Sequence, residues 1–215
     1  LKLVTITTGN TALRARLAAR LLDIAGRTDV PIGIGVAKPD EDRPQARWVQ
    51  DYPLERYPGK VHADGVEALI RAAMDAPEPI TLITIAPLTN IAEALRREPR
   101  LAARCRLVAM LGSVDAHHEG APGAIAEWNI TEDIPACQAV WAAPWIERVI
   151  TPLDTCGQVR LAGAAYQAVC ESADPLARAV IENYRHWLDG RPEEGRSSIL
   201  FDTVAVHLAH STRFL

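Results

Sequence analysis

The chain has 215 residues, 48% of them hydrophobic and 23% charged, and a net charge of −4. That length can bury a core without staples, and that composition excludes a disordered tail, a fibrous repeat and a coiled coil. The 23 lysines and arginines are scattered, which speaks against a phosphate-backbone binder, because nucleic-acid affinity needs clustered cations. No apolar run approaches the length of a membrane span.

Residues 1–7 contain the run Leu3-Val4-Thr5-Ile6 and read as a strand. The chain opens inside that run, so a segment upstream of Leu1 is expected. Gly9-Asn10-Thr11 is a turn and helix-cap signal. Leu13, Leu17, Leu21 and Ile24 then recur at helical spacing until Gly26. Residues 31–36 form the next predicted strand. Residues 37–59 are rich in Pro, Asp, Arg and Tyr without a period, which predicts a long loop. A helix at 64–74 and a strand at 80–85 follow, and Pro87-Leu88-Thr89-Asn90 opens a helix through Arg97. A strand at 106–111 leads into a second long loop, 112–126. A helix at 133–141, a strand at 148–152 and helices at 176–188 and 198–210 complete the series. Alternating strands and helices with crossover-length connections predict one α/β domain over residues 1–215, an open, mostly parallel sheet with helices on both faces.

In such sheets ligands bind outside the carboxyl ends of the strands. Those ends are Thr8-Gly9-Asn10, residues 37–39, 86–90 and 112–129, and residues 152–157. Gly33-Ile34-Gly35 lies within a strand and does not open a helix, so it is no dinucleotide fingerprint. Its glycines point to close backbone approach or a bulge. Asn10 is either a helix cap or an amide turned into the cleft to bind a hydroxyl. The corner at Ala86-Pro87-Leu88-Thr89-Asn90 is structural, or it exposes backbone carbonyls to a hard cation. Glu127 and Asn129, two residues apart in extended chain, would point the same way and hold sugar hydroxyls, or else lie exposed. Asp202 sits early in the apolar run Ile199-Leu200-Phe201-Asp202-Thr203-Val204. Such a carboxylate needs a partner, a cap near Ser197 and Ser198, or a metal. Cys105, Cys137, Cys156 and Cys170 lack a C-x-x-C spacing and read as reduced thiols, which points to a cytoplasmic protein.

Taken in order, these segments resemble the nucleoside hydrolase family of the inosine–uridine-preferring type. The match is carried by Thr7-Thr8-Gly9-Asn10, residues 25–32, Ala86-Pro87-Leu88-Thr89-Asn90-Ile91-Ala92 and Met110-Leu111-Gly112. It continues through Ala126-Glu127-Trp128-Asn129 with Asp133, Pro152-Leu153-Asp154-Thr155 and Phe201-Asp202. The resemblance implies cleavage of the N-glycosidic bond of small-molecule ribonucleosides to free base and ribose, in nucleoside salvage. It implies a bound calcium ion held by Asp202 and the backbone carbonyl of Thr89. It also implies ribose contacts from Asn10, Glu127 and Asn129, with His62 near the base and assembly into homo-oligomers.

The chain departs from the family's pattern at four places. The aspartate cluster of the form DTDxGxDD, which the family carries on its first strand, is absent from these residues, as if an N-terminal strand were missing. Phe201 stands where some members place a histidine that protonates the leaving base. Ala121 follows Gly120 where asparagine is usual. Cys156 resembles the cysteine of a subgroup lacking the usual histidine, and is either a catalytic aid or a buried inert thiol. These residues alone are therefore expected to hydrolyse nucleosides weakly or not at all. Two further readings stay open: an inactive ribose-binding or scaffolding relative, and a fragment without activity.

Overall fold

The computed structural model describes residues 1–39 and 43–213; residues 40–42 of the first predicted loop lie outside the described residues. In chain order the elements are β1 (Val4–Ile6), α1 (Thr11–Ile24), β2 (Ile32–Ile34), β3 (Val61–His62), α2 (Gly65–Met74), β4 (Ile80–Thr84), α3 (Thr89–Arg97) and β5 (Cys105–Ala109). There follow α4 (Trp128–Thr131), α5 (Ile134–Ala142), β6 (Glu147–Ile150), α6 (Leu153–Cys156), α7 (Gly163–Cys170), α8 (Pro175–Leu188) and α9 (Phe201–Leu208). The fold class is α/β with parallel sheets, as the alternation predicts. The described strands form two three-stranded sheets, β1-β2-β3 and β4-β5-β6, parallel throughout. Two compact units contain them: Leu1–Ala68 with Leu161–Ser197, and Leu69–Arg160 with Ser198–Leu215. Among the described residues no helix is long and apolar enough to cross a membrane.

In the first unit, Ile6 and Ile32 pack with Leu13, Ala15 and Ala19 of α1. The described part of the loop predicted over 37–59 is mostly exposed or half-buried, but it sends four side chains into the core. Short 3-10 turns at Pro44–Val49 and Leu54–Arg56 bury Trp48, Val49, Tyr52 and Tyr57. Side chains of α1 hold this segment: Arg16 donates to the carbonyl of Tyr52 at 2.9 Å, and Arg20 lies 4.5 Å over the Trp48 ring. An aperiodic segment hides its burial, because 3-10 turns repeat neither every 3.6 nor every two residues. The two-residue β3 and the helix α7 escape the sequence pattern for a similar reason, being too short or too alanine-rich to show an amphipathic period.

Gly33 in β2 explains the glycine pair of the sequence. A Cβ built there would lie 2.6 Å from the Cα of Gly65, so β2 and the start of α2 meet backbone to backbone. Gly33→Ala is expected to lower stability by about 1–3 kcal/mol through overpacking, measured by urea unfolding. An unchanged midpoint would show that the two backbones separate freely.

In the second unit, β5 is the central strand, and Leu107, Val108, Ala109, Met110 and Leu111 are all buried. Two-sided burial is why residues 107–111 read as a continuous apolar run. Val108 and Met110 pack with Leu153 and Cys156 of α6 and with Ala205 of α9. This cluster places the start of α9 near the carboxyl ends of the strands, where a ligand site is expected.

Candidate functional site

The second unit brings together Glu127, Asn129, Cys156 and Asp202. Glu127 and Asn129 are both 6% exposed. The predicted extended arrangement of the pair is corrected: Glu127 is extended, but Asn129 already lies in the helical turn α4, with Glu127 as its cap. The Glu127 carboxylate accepts from the backbone N–H of Asn129 at 2.8 Å, Ile130 at 3.3 Å and Gly112 at 3.2 Å. The Asn129 amide donates to the Met110 carbonyl at 3.1 Å. Acid and amide are thus locked to the carboxyl end of β5, a rigid mount for polar groups that would orient a sugar.

Asp202 lies in the first turn of α9, is exposed, and makes no cap, since Leu200 occupies the cap position. The capping alternative drops out. Surrounding protein, with the Glu127 carboxylate as a lesser cause, pushes its carboxyl up to about 6. A carboxyl raised by surrounding protein and by a second carboxylate nearby resists ionisation.

Thr89 begins α3, and its hydroxyl donates to Asp133 at 2.6 Å, which ties this corner to the start of α5. Cys156 is fully buried and its thiol donates to the Thr151 carbonyl at 3.4 Å. Burial, with lesser contributions from Asp202 and Glu127, pushes it up to about 11, so the thiolate is disfavoured. Asn10 and His62 belong to the first unit. Asn10 caps α1, accepting from the Leu13 N–H at 3.0 Å, and half-buried His62 pairs with Gly33 in β3. Beside Asn10, Thr8 takes a left-handed conformation at φ 64° and buries an unpartnered hydroxyl. A β-branched residue held there is strained, and such strain gathers at functional sites.

The loop after β5 is held from α6 by Asp154, a residue of the Pro152-Leu153-Asp154-Thr155 motif. The Asp154 carboxylate on α6 accepts from the backbone N–H of Val114 at 2.9 Å, Asp115 at 2.7 Å and Ala116 at 2.9 Å. These amides hold its carboxyl down at about 2. Leu153 N–H donates to the Gly112 carbonyl at 2.8 Å, and Glu119 N–H to that of Gly157 at 2.9 Å. Arg160 pairs with Glu119 at 2.7 Å. Asp154→Asn removes the charge these amides face. It is expected to speed hydrogen exchange at 114–116 by at least about tenfold while the β5 amides stay protected, as mass spectrometry or NMR would read. Equal exchange in both proteins would deny Asp154 this role.

Residues 1–215 match the family described as inosine-uridine preferring nucleoside hydrolase. The inosine-uridine preferring nucleoside hydrolase of Crithidia fasciculata is 33% identical over 202 residues, covering 85% of this chain and 61% of that protein. A pyrimidine-specific ribonucleoside hydrolase of Enterobacter is 27% identical over 192 residues, 85% of this chain and 60% of that one. Among solved structures, the purine-preferring ribonucleoside hydrolase from Gardnerella vaginalis has a similar fold, with TM-score 0.73 and 19% identity, over 98% of this chain and 72% of that one. The chain belongs to the inosine-uridine preferring nucleoside hydrolase family. It spans about three fifths of the length of the Crithidia and Enterobacter relatives.

Proposed function

We propose that the protein hydrolyses the N-glycosidic bond of ribonucleosides, giving free base and ribose. The observation that carries this is the clustering of buried Glu127 and Asn129 with Asp202, whose carboxyl is held up to about 6, beside the carboxyl end of a parallel strand. As the base departs, the sugar becomes oxocarbenium-like, and hydroxyl contacts that strengthen in that state lower the barrier. Asn129 and Glu127 serve as ribose contacts in this proposal, and Cys156 packs as a protonated thiol. The substrate is a small ribonucleoside in salvage, handled in the cytoplasm by a homo-oligomer that engages neither nucleic acid nor membrane. Base preference does not carry over, since the named relatives are inosine-uridine preferring, pyrimidine-specific and purine-preferring.

The family is metal-dependent, and calcium is the proposed ion, with Asp202 and the Thr89 carbonyl as its donors. Bound calcium supplies charge that orients ribose hydroxyls and acidifies water. Among the described residues, however, no three His, Cys, Asp or Glu side chains come together to hold a metal. Two donors fall short of the 6–8 oxygens calcium takes, so these residues by themselves do not fit the ion. Slow hydrolysis is therefore expected from the 215 residues alone. Incubation with a panel of ribonucleosides, with and without calcium, tests the function by measuring free base and reducing sugar. Phe201 favours a second reading, an inactive ribose-binding relative. Ribose binding in calorimetry without base release at any calcium concentration would support it.

A further inference from the structure

Phe201 leaves a departing base without a proton donor at its own position, but an imidazole stands against it. The His118 and Phe201 rings meet edge to face with centroids 5.6 Å apart, and Phe201 directly precedes Asp202. His118 is exposed, and its turn is fixed on both sides by the tethers to Asp154, Gly157 and Arg160 described above. Glu119, the next residue, holds a left-handed φ of 58°, a conformation disfavoured for a non-glycine residue and kept here by that anchored loop. His117 packs against His118 at 5.9 Å, and its Nδ1 is buried without a partner.

We propose that His118 is the acid that protonates the leaving base, an assignment that rests on the ribonucleoside hydrolase reading of the site. Imidazole is the side chain suited to give a proton near neutral pH, and nucleobases leave poorly as anions. In this step the C1′–N bond breaks with its electron pair going to the base, which takes the proton from the His118 imidazolium. Water adds its oxygen to C1′, and its released proton restores the imidazolium through solvent. The ionisable groups on the elements that meet this turn are His117, Glu119 and Arg160 on its own side, Asp154 and Cys156 on α6, and Asp202 and His207 on α9, the helix that begins with Phe201. Glu119 is already paired with Arg160, and Asp154 with three amides.

The first test needs no turnover. Histidine ring signals and the Asn129 backbone amide are followed by NMR as ribose or inosine is added to the chain. Inosine is expected to shift His118 while ribose does not, with His186 and His210 unmoved by either; both ligands should shift Asn129. A His118 signal blind to inosine overturns the assignment. An Asn129 amide blind to ribose sinks the hydrolase reading instead. The second test compares inosine with p-nitrophenyl riboside, whose phenolate leaves without a proton. His118→Ala and His118→Asn are expected to slow inosine cleavage by about 100-fold or more and p-nitrophenol release by less than about threefold. Equal losses on both substrates, or none, would contradict the proposal.

Discussion

Asp202→Asn is expected to stabilise the folded protein above pH 6 and, in the same sample, to cut ribonucleoside hydrolysis sharply. The folded chain holds the Asp202 carboxyl at about 6 against an ordinary 3.8. Between those values the folded state keeps a proton that the unfolded state has released, so stability falls as pH rises through that window. Above it the native protein carries a charge that its surroundings disfavour, and a neutral amide relieves it. Thermal midpoints of the two proteins should converge toward pH 4 and separate toward pH 7.5, with the variant higher. Solvent access to Asp202 screens part of this effect, so the separation is modest. Activity should fall by about 100-fold or more, the scale for losing a charged group that acts in the transition state. A charge kept at a cost to stability is the mark of a functional carboxylate.

Glu127 carries the second large effect. Glu127→Ala leaves three backbone N–H groups without their acceptor at a buried position, and is expected to cost about 2 kcal/mol or more in urea unfolding. Glu127→Gln retains one oxygen acceptor and nearly the same shape, so most of the fold's stability should survive. If the carboxylate also binds ribose, glutamine should still lose about 100-fold in base release. A loss no larger than the change in folded fraction would make Glu127 a helix cap and nothing more.

The parallel strands and long helices were legible because their apolar residues repeat with clear periods. Residues 80–85, 106–111 and 176–188 lie within one or two positions of the observed elements. Burial in 43–57 was not legible, because Trp48, Tyr52 and Tyr57 are held by arginines and carbonyls distant in sequence. The site was legible as an ordered set of short motifs, each with a polar residue at a strand end. The geometry of Glu127 and Asn129 was not, since one residue of helical turn between them changes their directions. A role for His118 was not legible, because nothing local marks it. Only its contact with Phe201, 83 positions away, gives it a role.

The most direct measurement is base release from inosine and uridine by the 215-residue chain and its Asp202→Asn variant, followed to rates far below those of ordinary enzymes. Free base and reducing sugar should appear in equal amounts, slowly, and only with aspartate in place. Release that persists in the variant, or no release above the spontaneous rate from either protein, would contradict an active site built on Asp202, Glu127 and Asn129.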